Sequence, residues 1–163
     1  MPTRGYAHRI DVRAPRERVW CALIEPALLV QWYGPEARVA PRANGSYRIR
    51  VDVDLVREAH IDVFEPGRRL RLIYMPQPQM PPTDSVIVDD FMLDVDAQLT
   101  TLRLLGSGYP DEEGWERFYL RLRHGWPRAL ARGRVASPKR GCRFCGRLCG
   151  SSGLRFRGIE LPG

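Results

Sequence analysis

Long apolar runs are missing from this chain of 163 residues. A membrane-spanning helix needs roughly 18–20 consecutive apolar residues. The longest uncharged stretches, Val19–Ile24, Pro26–Pro35 and Leu72–Thr83, fall short of that, and the last is broken by prolines and glutamines. A membrane helix is therefore excluded. The opening residues, MPTRGYAHRIDVR, contain no apolar block of signal-peptide type, so no secretory signal and a cytoplasmic location are expected. Cysteine is scarce upstream: Cys21 is the only one before Cys142. Without export, no disulfide framework is expected, and Cys21, in an apolar helical stretch, reads as a buried inert thiol. Histidine is limited to His8, His60 and His124, which leaves few bases for neutral pH. Lysine is nearly absent, with Lys139 alone among 26 basic residues.

What is present suits one globular domain. Hydrophobic residues make up 44% and charged residues 28%, which excludes a disordered or collagen-like chain. The length fits a single domain with a core that needs neither disulfide nor metal. The net charge of +7 invites a nucleic-acid reading, but +6 of it lies in residues 134–163, leaving +1 over residues 1–133. The body is nearly neutral, and the basic character belongs to the tail. The expected organisation is a domain over residues 1–133 and a basic, Gly- and Cys-containing tail over 134–163. That tail has no sustained hydrophobic period, so it is expected to be disordered or non-homologous.

Alternation marks a half-buried strand at Ala7–Arg13, with His8, Ile10 and Val12 on one face. Pro15 then opens a helix whose Val19, Trp20 and Leu23 share a face, and Pro26 opens a second, Ala27–Trp32, ended by Gly34-Pro35. A short strand is expected near Ala37–Ala40. Asn44-Gly45 signals a turn into a strand with Tyr47, Ile49, Val51 and Val53 on its apolar face. Ala59, Ile61 and Val63 alternate next; Pro66-Gly67 turns the chain into Arg69–Tyr74, where Leu70, Leu72 and Tyr74 share a face. Met75–Thr83, with four prolines, reads as a long loop. Val86–Val95 and Gln98–Leu105 form a hairpin, and Gly106–Pro110 reads as a loop. Glu113–Arg132 is the longest helix, with Trp115, Phe118, Tyr119, Leu122, Trp126, Ala129 and Leu130 as its apolar stripe. Pro127 should kink it or remove a hydrogen bond. Strands in sequential hairpins followed by one long helix give an α+β fold.

Four stretches carry a family resemblance. They are VRAPRERVW at Val12–Trp20, QWYGP at Gln31–Pro35, PGRRLRLIY at Pro66–Tyr74, and TLRLLGSGYPDEEGWERFYLRLRHGW at Thr101–Trp126. Together they resemble the SRPBCC (START-like, helix-grip) superfamily, in its activator of heat-shock-protein ATPase homologue branch, over about residues 7–132. The resemblance implies a curved antiparallel sheet wrapped around the long C-terminal helix, with two short helices after the first strand. Three features depart from the family pattern: Asn44-Gly45 where paired glycines are usual, the Pro-rich Met75–Thr83, and the tail.

The resemblance also implies a cavity between sheet and helix that takes small apolar molecules. Its candidate lining is Trp32, Tyr47, Ile49, Tyr74, Met92, Leu104, Trp115, Phe118, Tyr119 and Leu122, with the hydroxyls of Tyr47, Tyr74 and Tyr119 available to orient a ligand. A plain packed core is the competing reading of the same aromatics.

No catalytic residue can be named. His60 should face outward, His124 neighbours a basic face, and only His8 lies on an apolar strand face. Asp89, Asp90, Asp94 and Asp96 cluster around a hairpin, and solvated turn carboxylates account for them better than a metal or acid/base pair. Cys142, Cys145 and Cys149 lack a fourth ligand nearby, so neither metal nor cofactor is expected.

The leading expectation is a protein that binds a small hydrophobic molecule. An interaction module partnering a chaperone ATPase, with a place in stress response, is implied by the family name alone. A co-chaperone of that group normally carries a further N-terminal domain, for which no room is expected before Ala7. A cyclase-like enzyme using the same cavity is the third reading. Weak, non-specific nucleic-acid contact is assigned to the tail.

Overall fold

The computed structural model describes residues 2–96 and 99–135. Seven strands form one antiparallel sheet in the order β1-β7-β6-β5-β4-β3-β2. They are β1 (Thr3–Val12), β2 (Glu36–Val39), β3 (Ser46–Asp52), β4 (Leu55–Glu65), β5 (Arg69–Tyr74), β6 (Val88–Asp96) and β7 (Leu99–Pro110). Two short helices, α1 (Arg16–Ile24) and α2 (Pro26–Trp32), follow β1, and the long α3 (Glu113–Val135) closes the fold. Hairpins connect β2 through β7 in chain order, and β1 joins the far edge by pairing with β7. Register shifts between Arg4 and Tyr6, Arg50 and Asp52, and Ile61 and Val63 bend the sheet. Bulges of this kind add twist and let a sheet curl around a helix. The result is the α+β helix-grip architecture.

The inner face carries one continuous core. Tyr47 and Ile49 of β3, Ala59 and Ile61 of β4, Leu70 and Leu72 of β5, Phe91 and Leu93 of β6, and Leu102 and Leu104 of β7 are all buried there. From α3, Trp115, Tyr119, Leu122, Trp126, Ala129 and Leu130 are buried against it, and Phe118 is half-buried. At about 25 cal/mol per Å² of apolar area, burying side chains of this size stabilises by roughly 1.5–3 kcal/mol each. Among the described residues, no helix is long and apolar enough to cross a membrane.

Several expectations need correction. Val53 does not continue the apolar face of β3: it sits at the β3–β4 turn and is 89% exposed, because the shift at Arg50/Asp52 ends the alternation. Gly106–Pro110 is not a loop. It extends β7, since Gly106 leaves room for the Tyr6 ring, where an added Cβ would overlap it. Gly108, at φ 83°, takes the left-handed conformation open to glycine. Pro127 is accommodated within α3, which continues to Val135. Cys21 is fully buried, as its apolar helical setting implies. The tail beyond residue 135, with Cys142, Cys145 and Cys149, lies outside the described residues.

Candidate functional site

Two charged residues break the apolar pattern of the inner face. Arg57 on β4 is 4% exposed and Asp89 on β6 is fully buried. Arg57 Nη1 donates to Asp89 Oδ2 at 2.7 Å and to the Tyr33 hydroxyl at 3.2 Å, while Nη2 donates to the Tyr109 hydroxyl at 3.0 Å. The guanidinium lies 3.8 Å above the Tyr74 ring centre. Tyr6 donates to Asp89 Oδ1 at 2.6 Å and lies 3.0 Å from the Tyr109 hydroxyl. The indole of Trp126 donates to the Tyr6 oxygen at 2.8 Å.

With Asp89 ionised, proton counting fixes the direction of every bond. Tyr6 spends its one proton on Asp89, so Tyr109 must donate to Tyr6, whose oxygen then accepts from both Tyr109 and Trp126. Tyr109 in turn accepts from Arg57. The charges are paired and hydrogen-bonded, as buried charges must be.

Burial, reinforced by the Asp89 charge, pushes the Tyr6 and Tyr109 hydroxyls above their ordinary pKa. Burial likewise raises Tyr33, Tyr47 and Tyr74. Burial works against the charge of Arg57, but Tyr74, Tyr33 and Asp89 outweigh it, so Arg57 is held as a cation. Near neutral pH these tyrosines are therefore hydrogen-bond donors and not proton-transfer groups.

Beside this network the molecule opens. A groove of about 1010 Å³ runs between the β3–β4 turn and α3. Its apolar lining includes Tyr33, Val51, Leu55, Leu122, Trp126 and Ala129. Tyr33 and Trp126 stack at 4.8 Å between ring centres, and that stack separates the groove from Arg57. Trp32 stacks on the other side of Tyr33 at 5.2 Å. Across the mouth, Arg121 bonds Asp52 at 3.2 Å and Asp54 at 2.8 Å. Gly125 forms part of the lining, and a Cβ built there meets nothing within 4 Å. A smaller hollow of about 260 Å³ continues past Leu55 to Phe118 and Gly114, where an added Cβ is equally free.

Of the ten residues expected to line a cavity, Leu122 lines the groove and Phe118 the smaller hollow. Trp32, Tyr47, Ile49, Tyr74, Leu104, Trp115 and Tyr119 are buried core residues. The hydroxyls of Tyr47 and Tyr119 donate to the carbonyls of Leu23 and Gly5, and the Trp32 indole donates to that of Ala22. Those polar groups tie helices and strands together. Met92 does not belong to the inner face. Asp89, Phe91 and Leu93 occupy that side of β6, so strand alternation turns Met92 outward, where it is half-buried.

Asp89 also corrects the reading of its cluster as solvated carboxylates. Only Asp94 and Asp96 of that group are exposed, and Asp90 pairs with Arg69. His8 is half-buried on β1, and desolvation lowers its pKa from 6.5. Among the described residues, no group of three His, Cys, Asp or Glu side chains is placed to hold a metal.

The model of activator of Hsp90 ATPase homolog 1-like proteins matches residues 13–132. The chain belongs to that family. Solved structures of similar fold include a protein of Mesorhizobium loti, MLL2253, at 24% identity and TM-score 0.71, with 82% of this chain and 96% of that one covered. The Aha1 dimer from Colwellia psychrerythraea is similar at 17% identity and TM-score 0.70, again covering 82% and 96%. CalU16 from Micromonospora echinospora is similar at 22% identity and TM-score 0.65, covering 84% of this chain and 78% of that one. At these identities the likeness is one of fold. The search of curated proteins finds no significant match.

Proposed function

We propose that this family member binds a small hydrophobic molecule in the groove between the β3–β4 turn and α3. The observation that carries the reading is the open groove itself. Its volume of about 1010 Å³ is lined by the Tyr33–Trp126 stack, Leu55 and Leu122. Concave sites with apolar walls and a few polar groups are the usual setting for small ligands. The buried Arg57–Asp89 network supports this by holding Tyr33 and Trp126 rigid from behind, so the lining is preorganised.

Gly125 supplies the test, because a side chain there enters open space. N-phenyl-1-naphthylamine should bind wild-type protein and quench tryptophan fluorescence. Gly125→Phe should weaken that binding at least about tenfold while the melting temperature holds or rises, since glycine is a poor helix residue. Unaltered dye binding in Gly125→Phe would refute the site.

The family description and the similar Aha1 fold favour a second reading, a co-chaperone-like interaction module. Saturable binding to a purified chaperone ATPase, unaffected by dye, would support it.

A further inference from the structure

The groove's rim is unevenly charged. Arg117, Arg121, Arg128 and Arg132 line it from α3, against Asp52 and Asp54 from the β3–β4 turn, so its formal charge is +2. The two carboxylates are already engaged by Arg121. Arg132 donates to the Trp32 carbonyl at 3.3 Å. Arg117 acts on Asp54 only through space. Arg128 has no ion pair or hydrogen bond among the described residues. The helical period places Arg117, Arg121, Arg128 and Arg132 along one side, with Gly125 between Arg121 and Arg128 and no side chain to screen the apolar floor.

We infer that the molecule bound here is an amphipathic anion: an aromatic or acyl body carrying a carboxylate or sulfonate. This rests on the groove being a ligand site. The body covers Tyr33, Trp126, Leu55 and Leu122, and the acid group faces Arg128, with Arg117, about 16 Å further along α3, adding to the positive field of the rim. Guanidinium groups suit this role, because their planar fork matches the two oxygens of a carboxylate and they keep their charge at any physiological pH. A neutral apolar ligand would leave those cations unused, and a cationic one would meet a net repulsive rim. The rim is wet, so its contribution is modest and salt-sensitive.

Two dyes with nearly the same aromatic body separate the parts of this inference: 8-anilinonaphthalene-1-sulfonate, which is anionic, and N-phenyl-1-naphthylamine, which is neutral. Both are titrated into wild type, Gly125→Phe and the double variant Arg117→Gln/Arg128→Gln, at low and high salt. Both arginines are exposed, so the double variant should fold, and circular dichroism verifies it. The sulfonate should bind wild type about three- to tenfold more tightly than the neutral dye at low salt. That preference should vanish at high salt and in the double variant, with neutral-dye affinity changed less than about twofold. Equal affinities, or a preference that survives the double variant, would overturn the anionic class while leaving a hydrophobic site intact. Absence of binding by either dye, or binding indifferent to Gly125→Phe, would overturn the site and this inference with it.

Discussion

Removing the charge of Asp89 should be among the most damaging single changes in the protein. The carboxylate is fully buried, accepts from Arg57 at 2.7 Å and from Tyr6 at 2.6 Å, and is the one acidic group among the described residues in contact with Arg57. Asp89→Asn keeps the shape but leaves a buried guanidinium without a counter-charge and faces it with an amide. Breaking a buried pair from one side costs about 3–5 kcal/mol. Folded domains have only about 5–15 kcal/mol in total. The melting temperature should accordingly fall by at least about 6 °C, at roughly 2–8 °C per kcal/mol for domains of this general size. Arg57→Met should cost a similar amount, by leaving the carboxylate unpaired. The double variant Arg57→Met/Asp89→Asn should lose at least about 2 kcal/mol less than the two single losses combined, because neither charge then remains. Urea denaturation of all four proteins completes the cycle. An Asp89→Asn loss below about 1 kcal/mol, or simple additivity in the cycle, would show that water reaches the pair and that it does not support Tyr33 and Trp126.

Trp126 is 2% exposed, stacks on Tyr33, meets Phe91 edge-on and donates to Tyr6. Trp126→Ala should cost about 3–5 kcal/mol in chemical denaturation, and a loss under about 1 kcal/mol would contradict its burial. His8 should make stability depend on pH. Its folded pKa is lowered by desolvation, so the unfolded chain takes up a proton first as pH falls below 6.5. The stabilisation is present above that pH and is lost as pH falls through the lower, folded value. In His8→Gln that part of the slope should be missing from melting curves measured across the window. An unchanged slope would place the sensitivity elsewhere.

Most of the architecture was legible because it rests on period. The alternation through Leu70, Leu72 and Tyr74 and the stripe from Trp115 to Leu130 each bury as their spacing implies. Within that stripe Trp126 meets Tyr33 at the end of α2, while Trp20 pairs with Phe64. The polar centre was harder to find, because alternation arguments count apolar residues. Extending the Ala59 and Ile61 pattern back by two residues reaches Arg57, and extending Leu93 and Phe91 back reaches Asp89. A basic and an acidic residue, each on the inward register of its strand, is a readable sign of a buried pair. The open groove was not legible at all. It depends on how far the β3–β4 turn stands from α3 and on the empty space above Gly125, neither of which local periodicity encodes.

The polar centre is assembled from nearly the whole length of the domain. Tyr6 and Trp126 are separated by 120 positions, and Arg57 reaches forward to Tyr109. On the ribosome, a nascent chain that has exposed β1 through β5 already carries the cation of Arg57. It has neither Asp89 nor the Tyr109 and Trp126 groups that complete the circuit. Such a chain cannot bury its inner sheet face without stranding that charge, so premature collapse is disfavoured until α3 emerges. Synthesis order and wiring together make folding wait for the last helix. A ribosome stalled before Trp126 should hold a protease-sensitive chain, and release of the complete helix should protect it.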